Sequence, residues 1–202
     1  MHIQVGVKED LSLIIRQRDG RVLWETSKTH PPILVVRCRD AEPHQSPLAN
    51  ANAEISVFDD EKYRGHRVIL SGFEGVDICL ELIFAIDATT DELLVQAAQI
   101  RGSDTVVGLE HLYRFEKPVF DGGYDGGYMV LPHGPGYLIP AECPDKLPAR
   151  GHKGGLIGGR WTLPMFGIVR GVDAICAIVE TWWDCDVSIE HTPVNKSTLD
   201  FG

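Results

Sequence analysis

Hydrophobic and polar residues alternate along much of this chain, most regularly between residues 76 and 87. Apolar residues occupy every second position there: Val76, Ile78, Leu80, Leu82, Phe84 and Ile86. Successive side chains of a strand point to opposite faces, so this spacing predicts one long strand with a single buried face. A helix would scatter the same residues around its circumference.

The same pattern recurs on both sides of that strand, with turn residues between the segments. Asp19-Gly20 is a tight-turn signal that predicts a hairpin, with Trp24 as its buried anchor. Residues 40–53 lack any period and are predicted to form a loop. The remaining strands are predicted at residues 2–7, 11–17, 21–25, 33–38, 55–58, 66–70, 93–101, 105–116, 167–170, 173–181 and 187–191.

Many short strands with regular turns, and no amphipathic helix of ordinary length, predict an all-β fold. The specific prediction is an antiparallel two-sheet β-sandwich that forms a single domain over residues 1–191. Residues 192–202 are predicted to be a C-terminal tail or linker.

The net charge of the chain limits the classes of partner that it can bind. The 202 residues include 29 acidic and 19 basic side chains, which gives a formal charge of −10. Nucleic acids and anionic membranes both require basic patches, so neither is predicted as a partner. The apolar runs are too short to cross a bilayer. A neutral ligand such as a carbohydrate, or another protein, fits the composition better.

Cysteine and histidine positions argue against metal and disulfide chemistry. The five cysteines include no Cys-x-x-Cys pair and the eight histidines are scattered singly, so no metal site and no cofactor is predicted. Cys79 and Cys176 lie in apolar runs and are predicted to be small buried residues. The N-terminus shows no secretory signal. A reduced, cytosol-compatible chain is therefore expected.

The stretch from residue 121 to residue 186 combines glycines, aromatic rings and carboxylates. Asp-Gly-Gly-Tyr occurs twice in succession, at residues 121–124 and 125–128. The apolar face of a pyranose packs on Tyr or Trp while its hydroxyls need placed polar partners. The alternative is that these aromatic residues belong to an ordinary core. The sugar-binding candidates are Tyr124, Tyr128, His133, Tyr137, Trp182 and Asp184.

Three segments of the chain resemble the N-terminal β-supersandwich of certain bacterial glycoside hydrolases. Residues 163–171, followed by 174–180, are similar to its Pro-x-Phe-Gly-x-x-Arg-Gly and Ala-x-x-Ala-Ile-hydrophobic-Glu motifs. Residues 11–24 are similar to its first hairpins. The third segment reads Gly127-Tyr128-Met129-Val130-Leu131-Pro132-His133-Gly134-Pro135-Gly136-Tyr137-Leu138-Ile139.

The resemblance implies a galactose-mutarotase-like fold that precedes a catalytic (β/α)₈ barrel. Pro135 stands where the family pattern has Ser, and 202 residues leave no room for the barrel that carries the acid and the nucleophile. No catalytic residue is therefore predicted. The expected function is that of a non-catalytic domain of a carbohydrate-active enzyme, which packs on a downstream catalytic barrel and contributes to sugar binding.

Two other functions stay open at the level of the sequence. One is a stand-alone mutarotase-like epimerase, with His111 as acid and Glu180 as base across the sugar ring. The other is a lectin-like module that uses the aromatic side chains Tyr124, Tyr128, Tyr137 and Trp182.

Overall fold

A computed structural model describes most of the chain. The described residues are 3–26, 32–37, 44–110, 113–115, 128–131, 136–140, 163, 165–170, 173–180, 187–192 and 196–201. They form seventeen strands and one short 3₁₀ helix, and no α-helix occurs among them. Accordingly, no described segment is a helix long and apolar enough to span a membrane.

The first ten strands lie in the first 110 residues. They are β1 (Ile3–Val7), β2 (Leu13–Gln17), β3 (Val22–Glu25), β4 (Ile33–Arg37), β5 (His44–Pro47), β6 (Asn52–Asp59), β7 (Tyr63–Ser71), β8 (Cys79–Asp87), β9 (Leu93–Arg101) and β10 (Thr105–Glu110). The 3₁₀ helix, Leu48–Asn50, separates β5 from β6.

Seven further strands follow. They are β11 (Tyr113–Phe115), β12 (Tyr128–Leu131), β13 (Tyr137–Pro140), β14 (Met165–Arg170), β15 (Asp173–Ile178), β16 (Val187–Thr192) and β17 (Lys196–Phe201).

The strands pair in five antiparallel sheets, which fall into two compact units. The first unit, residues 1–112, holds the sheets β1-β2-β3, β10-β4-β5 and β6-β7-β8-β9. The second unit, residues 113–202, holds β11-β17-β16 and β13-β12-β14-β15. The prediction of an all-β, antiparallel β-sandwich is confirmed.

Apolar side chains from all three sheets build the core of the first unit. Trp24, the predicted hairpin anchor, is only 1% exposed, and Leu34 and Leu70 are fully buried. Residues 76–78 precede β8, and both faces of that strand are buried rather than one. Leu82 and Phe84 lie on one face, and Ile83 and Ala85 are buried on the other. The single-face prediction was wrong because protein covers both faces of β8, and β1 from another sheet is among the elements that contact it.

The outermost strand of the same sheet is β6, which has only β7 beside it among the described residues. Nearly all of its residues are exposed, including Ile55 and Val57, the latter to 79%. Ile55 pairs with the buried Val68, and Val57 pairs with His66, which is half-buried. The apolar face of this sheet therefore continues onto β6, where the core no longer covers it.

Two segments that were predicted to be irregular are strands. β5 lies within the predicted loop at residues 40–53 and pairs with β4, where Ser46 is opposite Leu34. β17 lies within the predicted tail and pairs with both β16 and β11. In β5, His-Gln-Ser-Pro has no apolar alternation, because hydrogen bonds to β4, not burial of alternate side chains, define the strand.

The predicted strand at residues 105–116 is two strands. β10 pairs with β4 in the first unit, whereas β11 pairs with β17 in the second. The change of partner occurs at the boundary between the two units. A continuous alternating pattern does not reveal such a change, because both strands need the same alternation.

Candidate functional site

The predicted sugar-binding residues fall only partly within the described structure. Tyr128 begins β12 and is half-buried, and Tyr137 begins β13. Tyr124, His133, Trp182 and Asp184 lie outside the described residues, and their role stays a prediction. The same holds for His111, the acid of the epimerase hypothesis, while its partner Glu180 is exposed in the turn after β15.

Strand register separates the two described tyrosines. Tyr128 pairs with Pro140, and Tyr137 pairs with Leu131. Positions 128 and 131 are an odd number of residues apart in β12, so they belong to opposite faces of the sheet.

A continuous apolar surface surrounds Tyr128. We call it the Tyr128 face and define it by the described residues that share that side of the β13-β12-β14-β15 sheet. The register links them through the pairs Val130–Leu138, Tyr128–Val169 and Gly167–Cys176. Its members with described side chains are Tyr128, Val130, Leu138, Met165, Gly167, Val169, Ala174, Cys176 and Ile178.

Much of the Tyr128 face is open to solvent. Leu138 is 67% exposed and Ile178 is 71% exposed, at the two outer strands of the sheet. Ala174 and Cys176 are exposed as well, whereas Val130 and Val169 in the central strands are half-buried. None of the residues that define the face is charged. Neighbouring exposed apolar residues of this kind make the face a candidate interaction surface.

The cysteine predictions have opposite outcomes. Cys79 is buried in β8, as predicted, but Cys176 is exposed on the Tyr128 face. The prediction for Cys176 was wrong because its side of β15 is open to solvent, and its register partner Gly167 has no side chain to cover it. The apolar run alone did not show which of its two faces would be covered.

A buried carboxylate marks the other chemically distinctive place, at the end of β8. Asp87 Oδ1 accepts hydrogen bonds from the Thr89 hydroxyl at 2.6 Å, the Thr89 amide at 2.7 Å and the Thr90 amide at 3.2 Å. Its Oδ2 lies 3.4 Å from Lys62 Nζ. The Thr89 hydrogen bonds lower the pKa of Asp87 to about 2, although burial opposes the shift. Such a carboxylate stays ionised and holds a turn, so it is unsuited to proton transfer near neutral pH.

A pocket of about 470 Å³ lies beside that turn. Its volume would suit a small ligand. No aromatic residue lines it, and its one arginine, Arg64, contacts Asp59 at 3.3 Å across β6 and β7. Without a ring on which a pyranose could stack, the pocket does not fit the predicted sugar site. Among the described residues, no group of three His, Cys, Asp or Glu side chains could hold a metal ion.

The sequence analysis named Tyr128 as a candidate but did not predict the apolar surface around it. The signal was present in the sequence, because β12 to β15 are apolar at nearly every position: Tyr-Met-Val-Leu, Tyr-Leu-Ile-Pro, Met-Phe-Gly-Ile-Val-Arg and Asp-Ala-Ile-Cys-Ala-Ile. Such runs indicate strands with apolar residues on both faces.

Solved structures of one enzyme share this fold. No protein-family model matches the chain, and no curated protein matches it either. The GalNAc complex of the α-N-acetylgalactosaminidase NagBb from Bifidobacterium bifidum superposes with a TM-score of 0.77 at 18% sequence identity, covering 99% of this chain and 34% of that chain.

A second structure of the same enzyme, its Gal-NHAc-DNJ complex, gives a TM-score of 0.73 at 19% identity and covers 100% of this chain and 35% of that chain. At such identities the likeness establishes the fold. The chain thus spans about a third of the length of these enzyme chains and shares the fold of that third.

Proposed function

We propose that the chain is a galactose-mutarotase-like β-supersandwich domain of a glycoside hydrolase, with no catalytic activity of its own. The observation that carries this proposal is the match in fold over 99% of the chain to 34% of an α-N-acetylgalactosaminidase. The three sequence segments that resemble the N-terminal supersandwich of bacterial glycoside hydrolases support it independently. Under this proposal, the catalytic acid and nucleophile belong to a companion domain.

The described acidic side chains also support a structural role. Asp87 closes a turn, and Glu81 forms an ion pair with Arg67 on the neighbouring strand. Asp77 accepts hydrogen bonds from the amide and the hydroxyl of Ser103, at 3.0 and 2.8 Å. A glycosidase needs two carboxyl groups that face one glycosidic bond, about 5 to 9.5 Å apart. Carboxylates engaged in this way join neighbouring strands and turns and are not directed toward a shared substrate site.

Hydrolysis assays test the absence of activity. We expect purified residues 1–202 to release no phenol from an aryl α-N-acetylgalactosaminide above the buffer rate. The polypeptide that carries both this domain and its companion barrel should hydrolyse the same substrate. Turnover by residues 1–202 that survives repurification and is abolished by Glu180→Gln would contradict the proposal and would favour an enzyme built around Glu180.

Polarimetry tests the epimerase alternative. If the domain only supports a companion, the optical rotation of fresh α-galactose decays at the same rate with and without protein. A rate that rises in proportion to protein concentration, and falls in His111→Ala, would establish an epimerase instead.

We further propose that the domain contributes an aromatic contact to a galactose-configured sugar through Tyr128. Tyr128 lies on an open apolar surface, where its ring can meet the apolar face of a pyranose. In calorimetric titrations with N-acetylgalactosamine, Tyr128→Ala should weaken binding by about 3- to 10-fold. Tyr63→Ala is the control, because the Tyr63 hydroxyl accepts a hydrogen bond from Lys62 in the other unit. If wild type, Tyr128→Ala and Tyr63→Ala bind the sugar with equal affinity, Tyr128 does not contact it.

A further inference from the structure

We infer that the Tyr128 face is the surface on which the companion domain of the same enzyme packs, with Tyr128, at the start of β12, left at the rim where a sugar can reach it. The inference rests on the proposed function and identifies the surface through which that function operates. About two thirds of each neighbouring enzyme chain lies outside the region that this chain matches, so a companion of substantial size is available to cover it.

The strands that carry this face have apolar residues at most positions of their sequence. At the positions opposite the Tyr128 face, their sequence is mostly apolar, with Met129, Ile139, Phe166, Ile168 and Ile175, and the pair Arg170 and Asp173 follows at one end. Strands with apolar residues at nearly every position are typical of sheets covered on both faces. Here one of the two faces exposes Leu138 and Ile178 to solvent. The composition of the strands is therefore that of a covered sheet, and the cover of the Tyr128 face is what the described structure lacks.

The chemical character of the Tyr128 face favours a protein as the partner that covers it. Its defining residues offer only the Tyr128 hydroxyl and the Cys176 thiol as polar groups, and no charge. A saccharide that covered the whole face would leave most of its hydroxyls without partners, which is unfavourable. Nucleic acid would require cations that the face lacks. A protein surface with apolar side chains at its centre satisfies these conditions.

Cys176 provides a direct probe, because its thiol lies in the middle of the outer strand of the face. Replacing Cys38, Cys143 and Cys185 by Ser leaves two cysteines, of which Cys79 is buried and Cys176 is exposed. In residues 1–202 we expect one thiol to react readily with a maleimide. In the polypeptide that also contains the companion domain, the same thiol should react at least about tenfold more slowly. Equal rates in the two proteins would overturn the inference.

A pair of substitutions tests the same surface without cysteine chemistry. Ile178→Asp places a charge at an exposed position of the face, and Val57→Asp places one at an equally exposed apolar position on β6. Both should leave the melting temperature of residues 1–202 nearly unchanged. In the longer enzyme, Ile178→Asp should lower hydrolytic activity and expose Cys176 to maleimide, whereas Val57→Asp should do neither. If Ile178→Asp leaves both unchanged, the companion packs elsewhere.

Other occupants give different results. A second copy of this chain on the face would make residues 1–202 dimeric by light scattering, and Ile178→Asp would dissociate that dimer. Slow maleimide reaction already in residues 1–202, without dimers, would show that the chain covers the face itself. Either result overturns the inference and leaves the proposed function standing. Hydrolysis by residues 1–202 alone would instead overturn the proposed function, and with it the inference.

Discussion

Asp87 joins the end of β8 to the turn that leads into β9. Its side chain accepts hydrogen bonds from the hydroxyl and the amide of Thr89 and from the amide of Thr90. Its backbone carbonyl accepts a hydrogen bond from the Asp91 amide at 3.0 Å. Asp91 has a φ of 59°, in the left-handed region that aspartate tolerates better than most residues. One buried side chain thus fixes a turn that the backbone would otherwise adopt less readily.

The Asp87 carboxylate should make folding sensitive to acid. Its pKa falls from the ordinary value of 3.8 to about 2 in the folded chain, because the Thr89 hydrogen bonds favour the ionised form. A group with a lowered folded pKa contributes stability above its unfolded pKa and loses that contribution as the pH falls toward its folded pKa. Thermal melts should therefore show the stability difference between wild type and Asp87→Asn shrinking from about pH 4 to about pH 2.

At neutral pH, Asp87→Asn should lower the melting temperature by several degrees, because the amide group of Asn replaces an acceptor oxygen that faces Lys62. Thr89→Val is the matched variant that removes one donor and leaves the carboxylate. An undiminished difference between Asp87→Asn and wild type at acid pH would show that charge is not what stabilises this turn.

At the scale of the strand, β8 and β9 show what an alternating pattern predicts well and what it does not. β9 has the predicted bounds, and β8 is a strand, as its period required. Alternation specifies the face that is most apolar, but it does not say whether Ile83 and Ala85 on the other face meet solvent or protein. That depends on which elements pack on each face of the sheet, and these are distant in sequence.

Leu82 in β8 should be among the most sensitive positions to truncation. The residue is 1% exposed, so Leu82→Ala removes apolar contacts and leaves a cavity, and we expect a loss of about 2–5 kcal/mol in the free energy of unfolding. The control is Val57→Ala on the exposed edge strand β6, expected to change stability by less than about 0.5 kcal/mol. Urea denaturation measures both. Similar effects at the two positions would contradict the assignment of the core.

Gly65 allows β7 and β8 to approach closely. A Cβ atom at this position would overlap the carbonyl oxygen of Phe84 in β8, and neighbouring backbone would have to shift. We expect Gly65→Ala to destabilise the chain by about 1–3 kcal/mol. Gly108→Ala in β10 is the matched control, since its Cβ would meet only the Val35 side chain at 4.0 Å. If both substitutions are tolerated alike in urea denaturation, the close approach at Gly65 is not required for stability.

At the scale of the whole molecule, the first unit has its own sheets and its own core. We expect a fragment of residues 1–112 to fold cooperatively without the rest of the chain. Trp24 is the single tryptophan in that fragment and is buried, so its fluorescence reports folding directly. The expected result is a blue-shifted emission that moves to longer wavelength in one transition on adding urea. Red-shifted emission in buffer would show that the first unit needs the second.

Sequence reasoning therefore identified the fold class and most strands, because both follow from local alternation and turn residues. It did not predict β5 and β17, whose strand character comes from pairing with distant partners. For the candidate site, it selected Tyr128 from its place in a repeated Asp-Gly-Gly-Tyr motif. The open apolar surface around Tyr128 was not predicted, since the exposure of one sheet face is a property of the assembled strands.

The exposed outer strand β6 has a practical consequence for work with this protein. Glu54 and Asp59 lie within the strand, and Asp60 and Glu61 follow it, so like charges keep two such edges from joining. The sequence pI is about 5.2, so the net negative charge that keeps chains apart falls toward zero in mildly acidic buffers. Such buffers thus favour sheet-to-sheet aggregation through Ile55 and Val57. Purification and crystallisation should begin at neutral or slightly alkaline pH.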